Sequence, residues 1–341
     1  MGLQISEIIP KQAIEFSELK GKTLAVDASN IIYQFLSTIR QPDGTPLQDS
    51  NGKITSHLSG LFYRNISLMS EGIKLVYVFD GKPPELKHGT NKKRSDIKKQ
   101  AIEKYEKAKA KEDVEEMGKY AKQTVSLTPE IAEESKELLE AMGIQCVQSP
   151  GEAEAQASHM ANKGLVYAVA SQDYDSLLFQ ATRLIQNLTL ARKRKTISGW
   201  VSVNPEIIEL QKVLNTLQIE QDQLICLGIL VGSDYNPGGI KGIGQKKALD
   251  IVRKFKYPVK IFESIEEQLM SLPEEKRFDW QKIFELFHKP NVKDVEISSP
   301  KIDEDKVRKI LIKREFSENR INSALDRLMK AKEEGKQRKL F

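Results

Sequence analysis

Three short apolar runs of this chain each lead into aspartate, and this pattern constrains the fold more than any other feature. The runs occupy residues 23–26, 75–79 and 166–170, and they are rich in Val, Leu, Ala and Tyr. Continuous apolar runs that are separated by helical patterns predict strands buried on both faces of a parallel sheet. We therefore expect an α/β fold in which a mainly parallel twisted sheet is flanked by helices.

Acidic side chains follow each predicted strand. Asp27 follows the first run, Asp80 follows the second, and Asp173 and Asp175 follow the third. Because open α/β sheets bind ligands at the carboxyl ends of their strands, we expect these carboxylates to meet at one edge. Each aspartate taken singly is also explained by a turn or a helix cap, so the prediction rests on the repetition.

Three more acidic residues are expected at this edge. Glu152 and Glu154 lie in a predicted helix of small residues, and Asp234 follows an apolar helical pattern. Like charges at ~4 Å repel by on the order of 4 kcal/mol at an effective dielectric constant of about 20. Hard divalent cations relieve this repulsion, so we predict two Mg²⁺ ions, with Mn²⁺ as a substitute. Two such ions about 4 Å apart can activate water and stabilise the leaving oxygen of a phosphodiester.

A strongly charged insertion follows the second of these strands. Residues 87–122 carry 12 Lys or Arg against 7 Asp or Glu and few large apolar residues, which predicts exposed helices. One interpretation is a solvated helical insertion, and the other is a basic helical arch over a nucleic-acid path. Lys87 and Arg94 would share one helical face near Asp80, where they could stabilise charge on a transferring phosphate.

A glycine-rich segment between two predicted helices indicates contact with a nucleic-acid backbone. The first helix covers residues 221–231 and the second starts at residue 245. The glycines allow a tight turn whose backbone N–H groups can face phosphate, and the lysines add positive charge. Sequence-independent contact with duplex DNA is favoured over an ordinary helix connector. The expected contact residues are Ser233, Gly239, Lys241, Gly242, Gly244, Lys246 and Lys247.

Composition argues against several other kinds of site. Cys146 and Cys226 lie in apolar stretches, which supports neither a disulfide framework nor a thiolate metal site. The 4 histidines lack the paired spacing of a zinc hydrolase, and no P-loop sequence is present. Since no apolar run is long enough to span a bilayer, we expect an intracellular protein without membrane contact, cytoplasmic in a prokaryote or nuclear in a eukaryote.

Several long motifs extend over nearly the whole chain. They are VDASNIIYQFL, VFDGKPPELK, SPGEAEAQA, SQDYDSLLF, LVGSDYNPGGIKGIG and REFSENRI. Together they resemble the flap endonuclease branch of the structure-specific 5′ nucleases. The resemblance implies cleavage of 5′ flaps at the junction of single strand and duplex, with 5′–3′ exonuclease activity, in DNA replication (Okazaki fragment maturation) and base excision repair. It also implies that Lys87 and Arg94 form a catalytic basic pair and that the metal ligands are Asp27, Asp80, Glu152, Glu154, Asp173, Asp175 and Asp234.

The same resemblance implies further contacts with branched DNA. Tyr33 would stack near the scissile nucleotide, although a place in the core is the other interpretation of this tyrosine. Gly2 would lie near the junction, and K⁺ would bind at the helix-two-turn-helix formed by residues 233–247. The pocket for a one-nucleotide 3′ flap is similar at Leu47, Thr55, Arg64, Phe316 and Arg320.

The resemblance suggests how the chain is organised. We expect a monomer with a single nuclease domain over residues 1–329, in which residues 1–130 include a basic arch at 81–128. The internal part, residues 148–260, includes the helix-hairpin-helix at 219–256. Residues 330–341 should form a flexible tail. The tail matches part of a motif that binds the replication sliding clamp, at Gln337, Leu340 and Phe341.

Other functions stay open on the sequence alone. A DNA-binding scaffold would use the acidic residues for structure only, and Mg²⁺-dependent cleavage would distinguish a nuclease from it. A small-molecule phosphatase would use Asp173 and Asp175, but it leaves the glycine-rich segment and the arch without a role. Among nucleases, a relative that acts on gaps or four-way junctions is the alternative.

Overall fold

A seven-stranded sheet lies at the centre of the residues that the computed structural model describes, which are 3–41, 43–87, 99–105, 107, 116, 120, 126–188, 193–196, 199–202 and 204–337. The strands along the chain are β1 (Gln12–Ala13), β2 (Thr23–Asp27), β3 (Lys74–Phe79), β4 (Gln145–Gln148), β5 (Ala168–Ala170), β6 (Arg183–Gln186), β7 (Lys193–Thr196), β8 (Gly199–Ser202) and β9 (Glu206–Glu209). Their order in the sheet is β1-β9-β6-β5-β2-β3-β4, while β7 and β8 form a separate antiparallel pair. Strands β2 to β6 run parallel, and β9 and β1 add two antiparallel pairings at one edge.

The three apolar runs that precede the aspartates are neighbouring strands at the middle of this sheet. Strand β2 pairs in parallel with β3 on one side and with β5 on the other. A hydrophobic core lies on each face of the sheet, and alternate residues of a strand point to opposite faces. Ala25 and Val76 therefore pack on one face, while Leu24 and Tyr77 pack on the other. The predicted mainly parallel sheet is confirmed. The third strand is shorter than predicted and begins at Ala168, although Tyr167 N already donates to Thr23 O of β2 at 2.7 Å.

Helices cover both faces of the sheet. They are α1 (Ala28–Thr38), α2 (Ser56–Ser70), α3 (Pro129–Ala141), α4 (Ala153–Asn162), α5 (Asp175–Leu178), α6 (Leu210–Leu217), α7 (Gln221–Val231), α8 (Gln245–Phe255), α9 (Pro258–Glu263), α10 (Glu266–Met270), α11 (Trp280–His288), α12 (Glu304–Lys313) and α13 (Glu318–Gln337). Helices α1 to α3, α12 and α13 pack on one face, and α4 to α9 with α11 pack on the other. Single 3₁₀ turns lie at Phe16–Leu19, Glu85–Lys87 and Glu274–Lys276.

An extended strap, residues 289–303, crosses from the second face to the first along the edge strand β4. The buried side chain of Gln156 donates to Lys293 O at 2.8 Å and accepts from Lys293 N at 2.9 Å. The side chain of Gln145 bonds Glu296 O and Ser298 N in the same two-way manner. The strap therefore covers the edge of the sheet and holds α4, which carries Glu154, against it.

Two predictions about the chain's organisation differ from the structure or lie beyond it. The expected flexible tail is helical as far as Gln337, because residues 330–337 are mostly strong helix formers that extend α13. The predicted arch is described at residues 81–87, 99–105, 107, 116, 120 and 126–128, of which 99–105 are helical. Within the described part of the chain, no helix has the length and apolar character needed to cross a membrane.

Candidate active site

The carboxyl ends of the central strands and the starts of nearby helices carry the acidic residues. Asp27 ends β2 and caps α1, where its Oδ1 accepts from Asn30 N at 3.0 Å. Asp80 follows β3, and its Oδ1 accepts from the backbone N–H of Ala153 at 2.8 Å. This bond joins the end of one strand to the first turn of α4. We call the full set the acid edge; it comprises Asp27, Asp80, Glu152, Glu154, Asp173, Asp175 and Asp234.

Buried carboxylates of the acid edge lie close enough to shift one another's protonation. Burial, together with the charges of Asp80 and Asp173, raises the pKa of Asp27 to about 8. Burial, together with the charges of Asp234 and Asp173, raises the pKa of Asp175 to about 8. Such coupling requires short distances through a medium of low polarity. The structure therefore brings together acids that lie far apart in the sequence.

The glutamates belong to the same cluster. Burial, Asp173 and Asp175 raise the pKa of Glu154 well above its ordinary value. Ser171 orients this carboxylate, because its hydroxyl donates to Glu154 Oε1 at 2.9 Å and accepts from Asp173 N at 3.2 Å. Ser171 was not predicted from the sequence, although it is the first residue of the SQDYDSLLF motif. Glu152 is the residue that precedes α4, one position outside the helix in which it was predicted.

Lys87 places a positive charge on the acid edge. Its ammonium contacts Glu152 Oε1, lies 3.3 Å from Asp234 Oδ2, and stands 5.3 Å from the ring centroid of Tyr235. Burial opposes its charged form, but the attraction of Glu152 and Asp234 outweighs burial and raises the pKa of Lys87. Lys87 ends a 3₁₀ turn, and Arg94, its predicted partner on a shared helical face, lies outside the described residues.

The acid edge fits a divalent cation by its chemistry. Asp175 Oδ1 is buried and has no hydrogen-bond partner among the described residues, and its neighbours repel it. Oxygen donors in excess of nearby positive charge are the ligands of hard divalent cations. Among the described residues, no group of three or more His, Cys, Asp or Glu side chains has the geometry of a formed metal site. Asp80 and Glu154 instead accept hydrogen bonds from the protein, and Glu152 forms an ion pair with Lys87.

A glycine hairpin, residues 232–244, connects α7 to α8 as predicted. Ile240 and Ile243 are buried and anchor it to the core. Gly239 has φ +53°, and a Cβ there would lie 2.4 Å from Leu230 O, so a side chain is excluded. Ser233 is buried, and its hydroxyl donates to Asn236 Oδ1 at 2.8 Å, so this side chain faces the interior of the hairpin.

The predicted phosphate contacts lie on the outer surface of the hairpin and of the first turn of α8; we call Lys241, Lys246 and Lys247 the hairpin lysines. The side chains of Lys241, Lys246 and Lys247 are exposed, and Gly244 precedes the first turn of α8. A cleft of about 540 Å³ separates the hairpin from residues 3–7 and reaches Tyr174, the residue between Asp173 and Asp175 in the chain. The cleft thus lies between the hairpin and the N-terminal residues.

The remaining predicted DNA contacts are more scattered. Tyr33 is 45% exposed, which excludes the alternative of a core tyrosine. Thr55 N donates to Leu47 O at 2.7 Å, which places these two residues side by side. The guanidinium of Arg64 contacts Leu188 O and lies 3.4 Å from Gln34 Oε1, and no bond joins it to Leu47 or Thr55 among the described residues.

The C-terminal part of the predicted 3′-flap pocket lies nearby. Glu315 accepts hydrogen bonds from Ser50, on the same loop as Leu47, and Phe316 packs half-buried against the core. Arg320 is exposed on α13, one turn beyond Phe316. Gln337 ends α13, while Gly2, Leu340 and Phe341 lie outside the described residues.

Comparison with known proteins agrees with this architecture. The XPG N-terminal domain matches residues 2–101, and the XPG I-region matches residues 143–234. Flap endonuclease 1 of Pyrococcus furiosus is 51% identical over 341 residues, which cover 99% of this chain and 97% of that protein. The solved structure of flap endonuclease-1 from Methanococcus jannaschii superposes with a TM-score of 0.74 at 41% identity, covering 97% of this chain and 98% of that one.

A more distant likeness concerns the fold alone. The catalytic core of Rad2, solved in complex with DNA substrate, superposes with a TM-score of 0.71 at 23% identity and covers 96% of this chain and 100% of that one. The 51% identity to the flap endonuclease of Pyrococcus furiosus, over 99% of this chain, shows membership of a family and not only a shared fold. The chain therefore belongs to the flap endonuclease family of XPG-type nucleases.

Proposed function

We propose that the acid edge is the site at which this flap endonuclease hydrolyses a phosphodiester of branched DNA. One observation carries the proposal: buried carboxylates crowd together at the ends of parallel strands, and Asp175 Oδ1 has no hydrogen-bond partner among the described residues. Folding alone does not favour such repulsion, which a ligand of opposite charge relieves. The family's role in DNA replication and repair gives this chemistry its setting.

This set of carboxylate oxygens suits divalent cations, and metal dependence is typical of the family. We propose two Mg²⁺ ions, which Mn²⁺ can replace, and K⁺ at the helix-two-turn-helix. Bound divalent cations would supply charge neutralisation and activation of water. The residues proposed to hold them are Asp27, Asp80, Glu152, Glu154, Asp173, Asp175 and Asp234.

The protein's own cations are proposed to act on the phosphate. The ammonium of Lys87 already lies on the acid edge, where negative charge would develop on the transferring phosphoryl group. Arg94 is proposed to share this task. The exposed ring of Tyr33 offers a surface for stacking on a base near the scissile bond.

The glycine hairpin is proposed to hold the duplex. Exposed Lys241, Lys246 and Lys247 can contact phosphates, and the cleft beside the hairpin offers space for a nucleic-acid backbone. The arch would admit the 5′ strand. The pocket for a one-nucleotide 3′ flap would be lined by Leu47, Thr55, Arg64, Phe316 and Arg320. We further propose that the enzyme is a monomer and that its C-terminal residues contact the sliding clamp.

The test is Asp173→Ala, assayed on a 5′-flap substrate with Mg²⁺. We expect cleavage to fall by about 10³-fold or more, while binding of the uncut flap stays near the wild-type affinity. Asp294→Ala is the matched control, since Asp294 is an exposed carboxylate on the strap, bound to His159 and Lys163. Cleavage by Asp173→Ala at close to the wild-type rate would refute the proposed site. Flap, nicked, gapped and four-way substrates in the same assay would establish which branch is preferred.

A further inference from the structure

Asn30 connects two carboxylates of the acid edge that belong to neighbouring strands. Its side-chain Nδ2 donates to Asp173 Oδ2 at 3.1 Å. Its backbone N–H donates to Asp27 Oδ1 at 3.0 Å. Asp27 ends β2, and Asp173 follows β5, the parallel neighbour of β2. One half-buried residue in the first turn of α1 thus contacts both acids.

Helix formation does not explain an asparagine at this position. Asp27 already caps α1, and the side chain of Asn30 is directed to Asp173 rather than to a backbone group of its own helix. The hydrogen bond to Asp173 is therefore the interaction that accounts for the side chain.

The chemistry of the amide differs from that of Lys87, which also donates to this cluster. Lys87 brings a full positive charge to Glu152 and Asp234. An amide donates a hydrogen bond but carries no net charge. It can hold a carboxylate in one orientation and leave its negative charge available to a cation. Groups that bond to metal-ligating carboxylates in this way typically contribute 10–100-fold to metal affinity or activity.

We propose that Asn30 is a positioning residue, which holds Asp173 beside Asp27 in the orientation that binds a divalent cation. This inference rests on the proposed function of the acid edge. It adds a residue that acts through another and is not itself a metal ligand. The loss of its side-chain amide should weaken metal binding before any DNA is present.

The experiment measures Mn²⁺ binding to the DNA-free protein by electron paramagnetic resonance, with thermal unfolding as a check on folding. Asn30→Leu removes the donor at similar volume, and we expect its dissociation constant for Mn²⁺ to rise about tenfold or more. Asn30→Gln keeps an amide on a longer side chain, and its affinity should lie between those of Asn30→Leu and the wild type. Asn30→Ala provides the same comparison if the leucine variant does not fold.

Ser37→Ala is the control on the same helix, since the Ser37 hydroxyl donates to Gln34 O at 2.9 Å and has no hydrogen bond to an acid among the described residues. It should bind Mn²⁺ as the wild type does. Wild-type Mn²⁺ affinity in both Asn30→Leu and Asn30→Ala would overturn the inference, as would equal loss in Asn30→Gln and Asn30→Leu. A wild-type protein that binds no Mn²⁺ would instead refute the proposed metal site, so the two failures are distinguishable.

Discussion

The acid edge and the glycine hairpin are assembled in opposite ways. The acid edge collects residues from Asp27 to Asp234, and the order of parallel strands brings them together. The hairpin is one continuous segment, residues 232–244, and its shape depends on local bonds such as Gly239 N to Asn236 O at 3.0 Å. The acid edge includes two buried aspartates, Asp27 and Asp175, whose neighbours repel them, whereas the hairpin and the adjoining turn of α8 present exposed lysines.

This difference indicates a division of labour. A cluster of buried like charges is unfavourable for folding, so it is retained where a bound cation or substrate offsets the repulsion. Exposed lysines on a locally stable turn meet no such penalty, and they bind a polyanion through charge alone. Changes in the acid edge should therefore affect chemistry and metal binding, while changes in the hairpin should affect DNA affinity.

Among the variants that test this comparison, the largest effect is expected for Lys87→Met, which asks whether one ammonium both competes with the metal ion and stabilises the reacting phosphate. Cleavage should fall by about 10²–10³-fold, because the charge beside the transferring phosphate is lost. Mn²⁺ affinity should rise about tenfold, since the ammonium no longer competes for Glu152 and Asp234. Cleavage rates at saturating Mg²⁺ and Mn²⁺ titration of the DNA-free protein measure the two effects separately.

Lys82→Met serves as the comparison for this variant, because Lys82 is exposed on the loop that leads to Lys87. It should change neither quantity by more than about twofold. Unchanged or weaker Mn²⁺ binding in Lys87→Met would show that its ammonium does not compete with the cation. The acid edge would then not depend on Lys87 for neutralisation in the absence of metal.

The sequence predicted the acids better than it predicted what surrounds them. Alternating apolar strands and terminal aspartates revealed Asp27, Asp80, Asp173 and Asp175, because the carboxyl ends of parallel strands share one edge. Asn30, Ser171 and the strap at residues 289–303 were not predicted. A single amide or hydroxyl has no periodicity, and its role depends on a partner that is distant in the chain, such as Asp173 for Asn30.

The backbone of the glycine hairpin was predictable from its local sequence, whereas the directions of nearby polar side chains were not. Its glycines and isoleucines specify the turn within a few residues, so the ends of α7 and α8 and the burial of Ile240 and Ile243 were predictable. The direction of the Ser233 hydroxyl was not predictable, because its bond to Asn236 depends on the folded turn. The expected pocket at Arg64 was equally uncertain, since tertiary contacts direct its guanidinium to Leu188 O.

An intermediate effect is expected when the hairpin lysines are neutralised. The double variant Lys241→Ala/Lys246→Ala should bind flap DNA about tenfold more weakly, with no dependence on base sequence. The slope of log affinity against log salt should become shallower by about 2, roughly one unit for each lost phosphate contact. Filter binding or anisotropy between low and moderate salt measures both.

Two observations would separate this prediction from a general loss of charge. Lys212→Ala removes an exposed lysine of α6 that pairs with Glu209 at the end of β9. The slope of log affinity against log salt for this variant should match that of the wild type. The cleavage rate of the double variant at saturating DNA should also stay near the wild-type value. A fall in that rate with unchanged affinity would place the hairpin lysines in the chemistry and remove the proposed division of labour.

The smallest effect concerns the pH dependence of stability without metal. The pKa of Asp27 and the pKa of Asp175 are each raised to about 8 in the folded protein, whereas an unfolded aspartate titrates near 4. Between these values the folded state binds more protons than the unfolded state, so the free energy of unfolding falls as pH rises. The decline should end above the raised pKa values, where the aspartates are ionised in both states.

We therefore expect the melting temperature in a metal chelator to fall by a few degrees from pH 5 to pH 8. Asp175→Asn removes one of the titrating groups and should flatten the decline, whereas Lys241→Ala/Lys246→Ala should follow the wild-type curve. Added Mg²⁺ should reduce the loss at pH 8, because the cation binds the deprotonated carboxylates of the folded state. A decline in Asp175→Asn as steep as in the wild type would show that the stored repulsion lies elsewhere. Charge repulsion at Asp175 would then not be what distinguishes the stability of the acid edge from that of the hairpin.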